Sequence, residues 1–385
     1  MTTTMAEFVS QRLRRARIAR MMTGRALAEA VGVTPAAITQ FEKGDASPRD
    51  EVVRRLAEAL RVPPTHFFNP PLPDRQSPVR MRSLSAATKR ARESADVRID
   101  WLREVVVYVA QVMPLSLLDL PDLCQTTDPA AISDDEIEDF AVDARRMWGM
   151  KDGPIVNLTE LLESKGLVVS AFSLGADTLD AFGTLAPELP IIVENTDRTS
   201  AVRMRFDRAH EVAHMVLHRH TPDALAARPE IHKLMEHQAH RFAGAFLFPA
   251  AAFVNEIYSV TVAGLLDAKR RWKLSVQTMI RRAFDLGLIS EYQYGRAFRT
   301  LSAKGFRKRE PLDDEMAPEE PTAIPQRLRH LVEEQGFTAE DIEAHTHQHR
   351  REIEALASLP PGYFDRPRGP QVGGRILRLR PRSTG

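Results

Sequence analysis

The sequence predicts a mainly α-helical chain: a front block of short helices, then an α+β unit with a small sheet, then a helical C-terminal extension. Three observations carry that expectation. Apolar residues recur at helical spacing from Val9 to Phe68, punctuated by threonines placed to cap helices and glycines placed to close them. Short strand-like runs stand only in the middle, at Leu167–Ser170 and Pro190–Glu194. Helical patterns then return, through Phe306 and again from Thr338. At 385 residues the chain exceeds one ordinary domain of ~100–200 residues. With 43% hydrophobic and 27% charged residues it can bury several cores, which excludes wholesale disorder.

The net charge of +1 is a cancellation. The first 92 residues hold seventeen Lys/Arg against eight Asp/Glu, whereas Asp119 to Asp143 holds nine acids and no Lys/Arg. Asp313, Asp314, Glu315, Glu319 and Glu320 alternate with prolines and read as a second acidic block, a linker. The expected organisation is a first domain at 1–70, a basic linker at 71–95, a second domain at 96–310 and the acidic Pro-rich linker at 311–325. A small helical segment at 326–364 and a basic disordered tail at 365–385 follow. One cysteine, Cys124, excludes an internal disulfide framework and fits the cytoplasm. The longest apolar run, Val105 to Leu118, falls short of the ~20 residues of a spanning helix, so no membrane partner is expected.

In the front block, Leu13, Ala16 and Met22 suit the buried stripe of a first helix, and Leu27, Ala28 and Val31 that of a second. Thr23 is placed to cap the second helix and Gly32 to close it. Thr34 caps a third, Pro35 takes its favoured first position, Ile38 and Phe41 face the core, and Gly44 ends it. Asp50 starts a further helix, with Val53, Leu56 and Leu60 apolar, that stops at Pro63-Pro64.

These residues, with Arg17, Glu42 and Phe67-Phe68, resemble the Cro and lambda-repressor type of helix-turn-helix domain. The resemblance implies double-stranded DNA as partner, an ion pair between Arg17 and Glu42 inside the domain, and a third helix that enters the major groove. Ala36, Gln40 and Lys43 share one face of that helix at i, i+4, i+7 spacing. Gln40 can read adenine, Ala36 can touch a thymine methyl and Lys43 meets phosphate. Thr34 and Arg25 complete the DNA-contacting set, and Arg12, Arg14, Arg15 and Arg20 are expected on phosphate as well. Gly24, Pro35 and Ala36 stand where relatives often carry DNA-contacting glutamines, so base readout is expected to be thin.

Seven of the twelve histidines fall between His210 and His240. His210-Glu211-Val212-Ala213-His214 is an H-E-x-x-H motif: on a helix the two imidazoles lie one turn apart on one face and can converge on a zinc ion, while Glu211 is turned to act as base. A third ligand is needed. His218 lies ~12 Å along the helix from His210, too far for one ion. His220 stands where some zinc peptidases place a histidine, but Leu217 occupies their glycine position. Glu236 lies on the next helical stretch, His232 to Leu247, with His237 and His240 as further alternatives.

The run Arg205-Phe206 through His214, then Glu236, Ala239, Phe242-Ala243, Leu247 and Pro249, resembles the ImmA/IrrE family of zinc metallopeptidases. Upstream, a helix at Pro154–Lys165, the two strand-like runs and Asp180 to Thr184 follow that family's order. The resemblance implies metal ligands at His210, His214 and Glu236, a catalytic glutamate at Glu211 and Zn²⁺ as cofactor. The fold class becomes a mainly α chain: a five-helix helix-turn-helix domain, then an α+β zincin-like metallopeptidase domain with a small sheet and a helical C-terminal extension.

Downstream, Arg270, Arg271, Lys273, Arg281 and Arg282 read as a solvated helix face, and Trp272 and Tyr292 as packing residues. Thr338 to Phe364 weakly echoes the first domain but is one helix too short to complete it. The expected function is a DNA-binding transcriptional regulator carrying a zinc endopeptidase that cleaves a repressor or the chain itself, in the Asn69–Ser94 region. An extended substrate would pair with a strand near Ala181–Leu185. The alternative is a regulator whose peptidase-like domain is a non-catalytic metal or small-ligand sensor. A homodimer is expected for a palindromic operator.

Overall fold

In the computed structural model, residues 7–70, 79–81, 89–175, 181–184, 189–197 and 200–366 are described. Most of the expected basic linker and tail, and Leu185, lie outside them. The front block forms α1 (Ser10–Ala19), α2 (Gly24–Val31), α3 (Pro35–Lys43) and α4 (Asp50–Leu60). A 3-10 turn at Pro64–Phe68 makes the fifth helix. The Thr23 hydroxyl accepts from the Ala26 amide at 3.0 Å and the Thr34 hydroxyl from Ala37 at 3.2 Å, so both caps sit where the sequence placed them. Gly32 and Gly44 close their helices in the left-handed region, at φ 67° and 82°. Leu13, Ala16, Leu27, Ile38, Leu56, Leu60 and Phe67 fill the core, with Met22 and Phe41 at its margin.

A long helix, α5 (Lys89–Val112), begins inside the stretch read as a linker, because Ala91, Ala95, Ile99, Leu102 and Val106 extend its apolar stripe towards the first domain. It ends just before Pro114, and no helix among the described residues is long and apolar enough to cross a membrane. The α1 arginines hold it: Arg12 reaches Glu104 at 2.6 Å, and Arg15 pairs with Asp100.

Beyond it lie α6 (Asp134–Met147) and α7 (Leu158–Ser164), followed by α8 (Ala201–Leu217), α9 (Asp223–Ala226) and α10 (Pro229–Leu247). Among the described residues four strands form one sheet: β1 (Val79–Met81), β2 (Val168–Phe172), β3 (Ala181–Thr184) and β4 (Ile191–Asn195), in the order β1-β3-β4-β2. β2 runs parallel to β4, β3 antiparallel to β4, and β1 antiparallel to β3. Alternation along the strands divides the sheet between two cores. Val168, Phe172, Ile191 and Val193 join the core of the first domain and α5, whereas Val169 and Ile192 join that of α6, α7, α8 and α10.

After α10 the chain continues as α11 (Ala250–Glu256), α12 (Val262–Trp272), α13 (Val276–Asp285) and α14 (Glu291–Ala303), with α13 packed on α10 and on both α12 and α14. Trp272 is buried and stacks on Phe248 at 3.8 Å between centroids, as a packing residue should. Tyr292 is not one: it is 71% exposed, because α14 turns that face to solvent.

The acidic stretch at 311–325 is no free tether. Its Glu319 accepts from the Leu158 and Thr159 amides at 2.9 and 3.1 Å, satisfying orphan donors of α7's first turn, and pairs with Arg205 and Arg208 of α8. The chain continues as α15 (Ala323–Glu333), α16 (Ala339–Thr346) and α17 (Arg350–Leu356), which pack with α5 and β2 against the first domain. Arg20 and Arg98 converge on the buried Glu352 of α17, at 2.6 and 3.0 Å.

Candidate metal centre and nucleic-acid interface

α8 is buried almost all round over its second half, and its 3.6-residue period stacks His210 above His214. α10 packs alongside and brings Glu236 to them. The two Nε2 atoms stand 3.1 Å apart, and the Glu236 carboxylate lies 3.3 Å from His210 Nε2 and 3.2 Å from His214 Nε2. Tetrahedral donors around an ion at ~2.0–2.1 Å are separated by roughly 3.3–3.4 Å, so this trio has the spacing of a zinc site. No other group of three His, Cys, Asp or Glu donors this close occurs among the described residues.

The other candidate ligands have different partners. His220 pairs with Asp122 at 3.0 Å, and His237 meets Arg281 at 2.8 Å. His240 sets its ring edge-on to that of His210, with centroids 5.0 Å apart.

His218, too distant to share the ion, has a role that spacing alone did not suggest. Its Nδ1 lies 3.0 Å from His214 Nδ1 and its Nε2 3.0 Å from Gln238 Oε1. The Gln238 amide donates to the carbonyls of Pro129 and Ile132 at 2.7 and 3.3 Å, so its oxygen must face His218. His218 therefore donates from Nε2 and accepts at Nδ1. His214 in turn donates from Nδ1, which leaves its Nε2 lone pair bare and aimed at the ligand position. The i, i+4 recurrence of His214 and His218 was visible in the sequence; Gln238, twenty residues on, carried no signal.

Glu211 is 2% exposed and lies beneath β3. A Cβ built on Gly183 would stand 2.7 Å from Glu211 Oε2, so a larger residue here would displace the Glu211 carboxylate. Beside Glu236 a cavity of about 450 Å³ opens, bordered by Arg203, Phe206, His237, His240 and Arg307.

At the other end of the chain, Thr34, Ala36, Gln40 and Lys43 are exposed on the outer face of α3, and Arg25 is exposed on α2. Arg17 grips Glu42 through two bonds of 2.6 and 2.8 Å, tying α1 to α3 as scaffold. The expectation for the α1 arginines needs correction. Arg12 is buried and also donates to the Asn69 and Pro70 carbonyls, Arg15 is taken by Asp100, and Arg20 by Glu352 and the Leu60 carbonyl. Desolvation and partners commit them to holding the domain on α5 and α17; of that group Arg14 remains exposed. The basic stretch of α12 and α13 is likewise internally paired in part, since Arg282 is buried against Glu138 at 2.5 Å.

Comparison with known families gives two matches. Residues 13–67 match the family model described as helix-turn-helix, and residues 162–284 match the peptidase-family model described as IrrE N-terminal-like domain. The chain joins these two domains, the second holding β2 to β4, α8 and α10. No curated protein matches it.

Proposed function

We propose that the chain is a DNA-binding transcriptional regulator whose second domain is a zinc-dependent endopeptidase acting on a protein, either a repressor or the chain itself. The observation that carries this reading is the trio His210, His214 and Glu236, with donors 3.1–3.3 Å apart on two packed helices. A zinc ion held there would polarise a peptide carbonyl and acidify a water molecule. Glu211, next in sequence to His210 and excluded from the trio, takes the proton from the attacking water and hands it to the leaving amine. His218 and Gln238 keep His214 in the tautomer that ligates. The burial of His210 and His214 strengthens these electrostatic interactions relative to water.

On the DNA side, Gln40 and Ala36 read base edges, Lys43 and Arg25 meet phosphates, and Thr34 sets the start of the groove helix. A cytoplasmic place, with one buried cysteine, and a homodimer on a palindromic operator belong to the same reading.

The test is metal analysis of the purified chain beside His210→Ala, with hydrolysis of a fluorogenic peptide library beside Glu211→Gln. One equivalent of zinc, lost in His210→Ala, and hydrolysis abolished in Glu211→Gln are expected; a metal-free wild-type chain sinks the reading. The cavity beside Glu236 favours a second reading, a non-catalytic sensor of metal or a small ligand. That reading stands if Glu211→Gln leaves promoter regulation intact while His210→Ala abolishes it.

A further inference from the structure

We infer that β3 is a peptide-binding edge and that its resident is the chain's own strand β1, seated where an extended protein substrate would lie. The inference rests on the peptidase reading for its functional meaning, but the seat itself is a matter of strand pairing. In the order β1-β3-β4-β2, β3 would be the edge of the sheet if β1 left. β1 pairs antiparallel over three residues, with Val79 opposite Thr184, Arg80 opposite Gly183 and Met81 opposite Phe182. Gly183 is the residue whose missing side chain makes room for Glu211. The backbone paired with Gly183 therefore runs beside a strand residue packed against the proposed catalytic base. β1 also comes from the only stretch of chain between the DNA-binding domain, ending with the Pro64–Phe68 turn, and α5, starting at Lys89.

A three-residue pairing is weak for a free peptide but not for a tethered one. Pro70 and Lys89 are both described, so β1 is held by short connections at each end, and such a tether sets an effective concentration on the order of millimolar. A peptide arriving from solution must displace β1. If a free strand binds the edge with a dissociation constant of about 0.1 mM, the tethered occupant weakens the apparent affinity of a competitor by about tenfold. The substrate class that follows is an extended segment, free of proline at the pairing positions, recognised through its main chain. Cutting such a segment would begin with the release of the interdomain strand.

The test uses the full chain carrying Glu211→Gln, so that bound peptide is not consumed, and a fluorescent peptide copying residues 76–86. Adjacent residues of a strand point their amides in opposite directions, so Arg80→Pro with Met81→Pro removes at least one donor to β3 whichever register face it uses. Anisotropy titration should show the peptide binding the proline variant about tenfold more tightly than its parent. A second variant leaves β1 untouched and inserts twelve Gly/Ser residues after Pro70. It should tighten binding by roughly threefold, because effective concentration falls with tether length. Equal affinity for all three chains, or binding to none, overturns the inference. Hydrolysis of the same peptide by the zinc-loaded chain with Glu211 intact reports on the peptidase reading separately. Affinity that responds to the variants without hydrolysis keeps the seat and removes the peptidase, and hydrolysis with unresponsive affinity does the reverse.

Discussion

Gly183 and Glu211 are packed so that one methyl group would not fit between strand and carboxylate, the distance from an added Cβ to Glu211 Oε2 being 2.7 Å. The strand and the proposed base hold each other in place. Gly183→Ala must push the carboxylate aside, a small cost to stability for the end of a flexible side chain but a displacement of the proposed base. The expected outcome is an unchanged zinc content and a kcat for peptide hydrolysis reduced tenfold or more. A kcat equal to wild type shows that Glu211 does not need this contact.

The relay from Gln238 through His218 to His214 predicts a change in metal affinity without loss of a ligand. His218→Ala and Gln238→Leu should each weaken zinc binding by about 10- to 100-fold in competition with a chelator. The relay is refuted if both variants hold zinc as tightly as the parent while remaining folded.

The salt dependence of DNA binding separates the two kinds of arginine. Removing a phosphate contact lowers the slope of log affinity against log salt by ~1. Lys43→Ala and Arg25→Ala are expected to do so on any sequence, whereas Gln40→Ala should cost more on the cognate operator than elsewhere. Arg20→Ala should leave the slope alone and instead loosen the first domain from α17, since Glu352 loses one of its two partners. A reduced slope for Arg20→Ala would return that residue to the DNA face.

Acid should loosen the same junction through His66. Its ring is fully buried, edge-on to Trp101, and its Nδ1 donates to the His347 carbonyl at 2.8 Å; burial lowers its pKa to about 3, and Arg12 adds to the effect. The unfolded chain takes up a proton near pH 6.5 and the folded one does not until about pH 3, so stability falls as pH drops through that window. The contribution is about 1.4 kcal/mol per pH unit for one proton. Urea titrations between pH 6.5 and 4 should give a shallower pH dependence for His66→Phe. Parallel curves for the two chains would count against His66 as the sensitive group.

Glu319 ties the acidic stretch to α8, and Glu319→Ala leaves Arg205 without its carboxylate while Arg208 keeps Glu194. Breaking a buried ion pair on one side costs typically ~3–5 kcal/mol, which calorimetry would record as a large fall in melting temperature. A variant as stable as the parent would mean that the segment is not held here.

What the sequence made legible is what depends on short spacing. Thr23, Gly32, Thr34 and Gly44 mark helix ends within their own turns, and His210 with His214 declares a shared face through the four-residue step. Glu236 needed the packing of a second helix, and the family resemblance pointed to it. The rest lay beyond local pattern. Arg12, Arg15 and Arg20 look like any basic helix face until α5 and α17 are folded against them. Glu319 looks like a linker acid until α7 offers it two amides 160 residues away. Composition reports charge; which charges meet water and which meet each other is decided by tertiary contacts.

The sheet acts as a party wall. Because neighbouring residues of β2 and β4 face different cores, deleting one residue from either strand would send Val169 or Ile192 into the room of Val168 and Ile191, and the reverse. Neither room could then be furnished correctly. The helix-turn-helix core and the core around α8 and α10 thus share one wall, and a lesion in it is felt in both rooms.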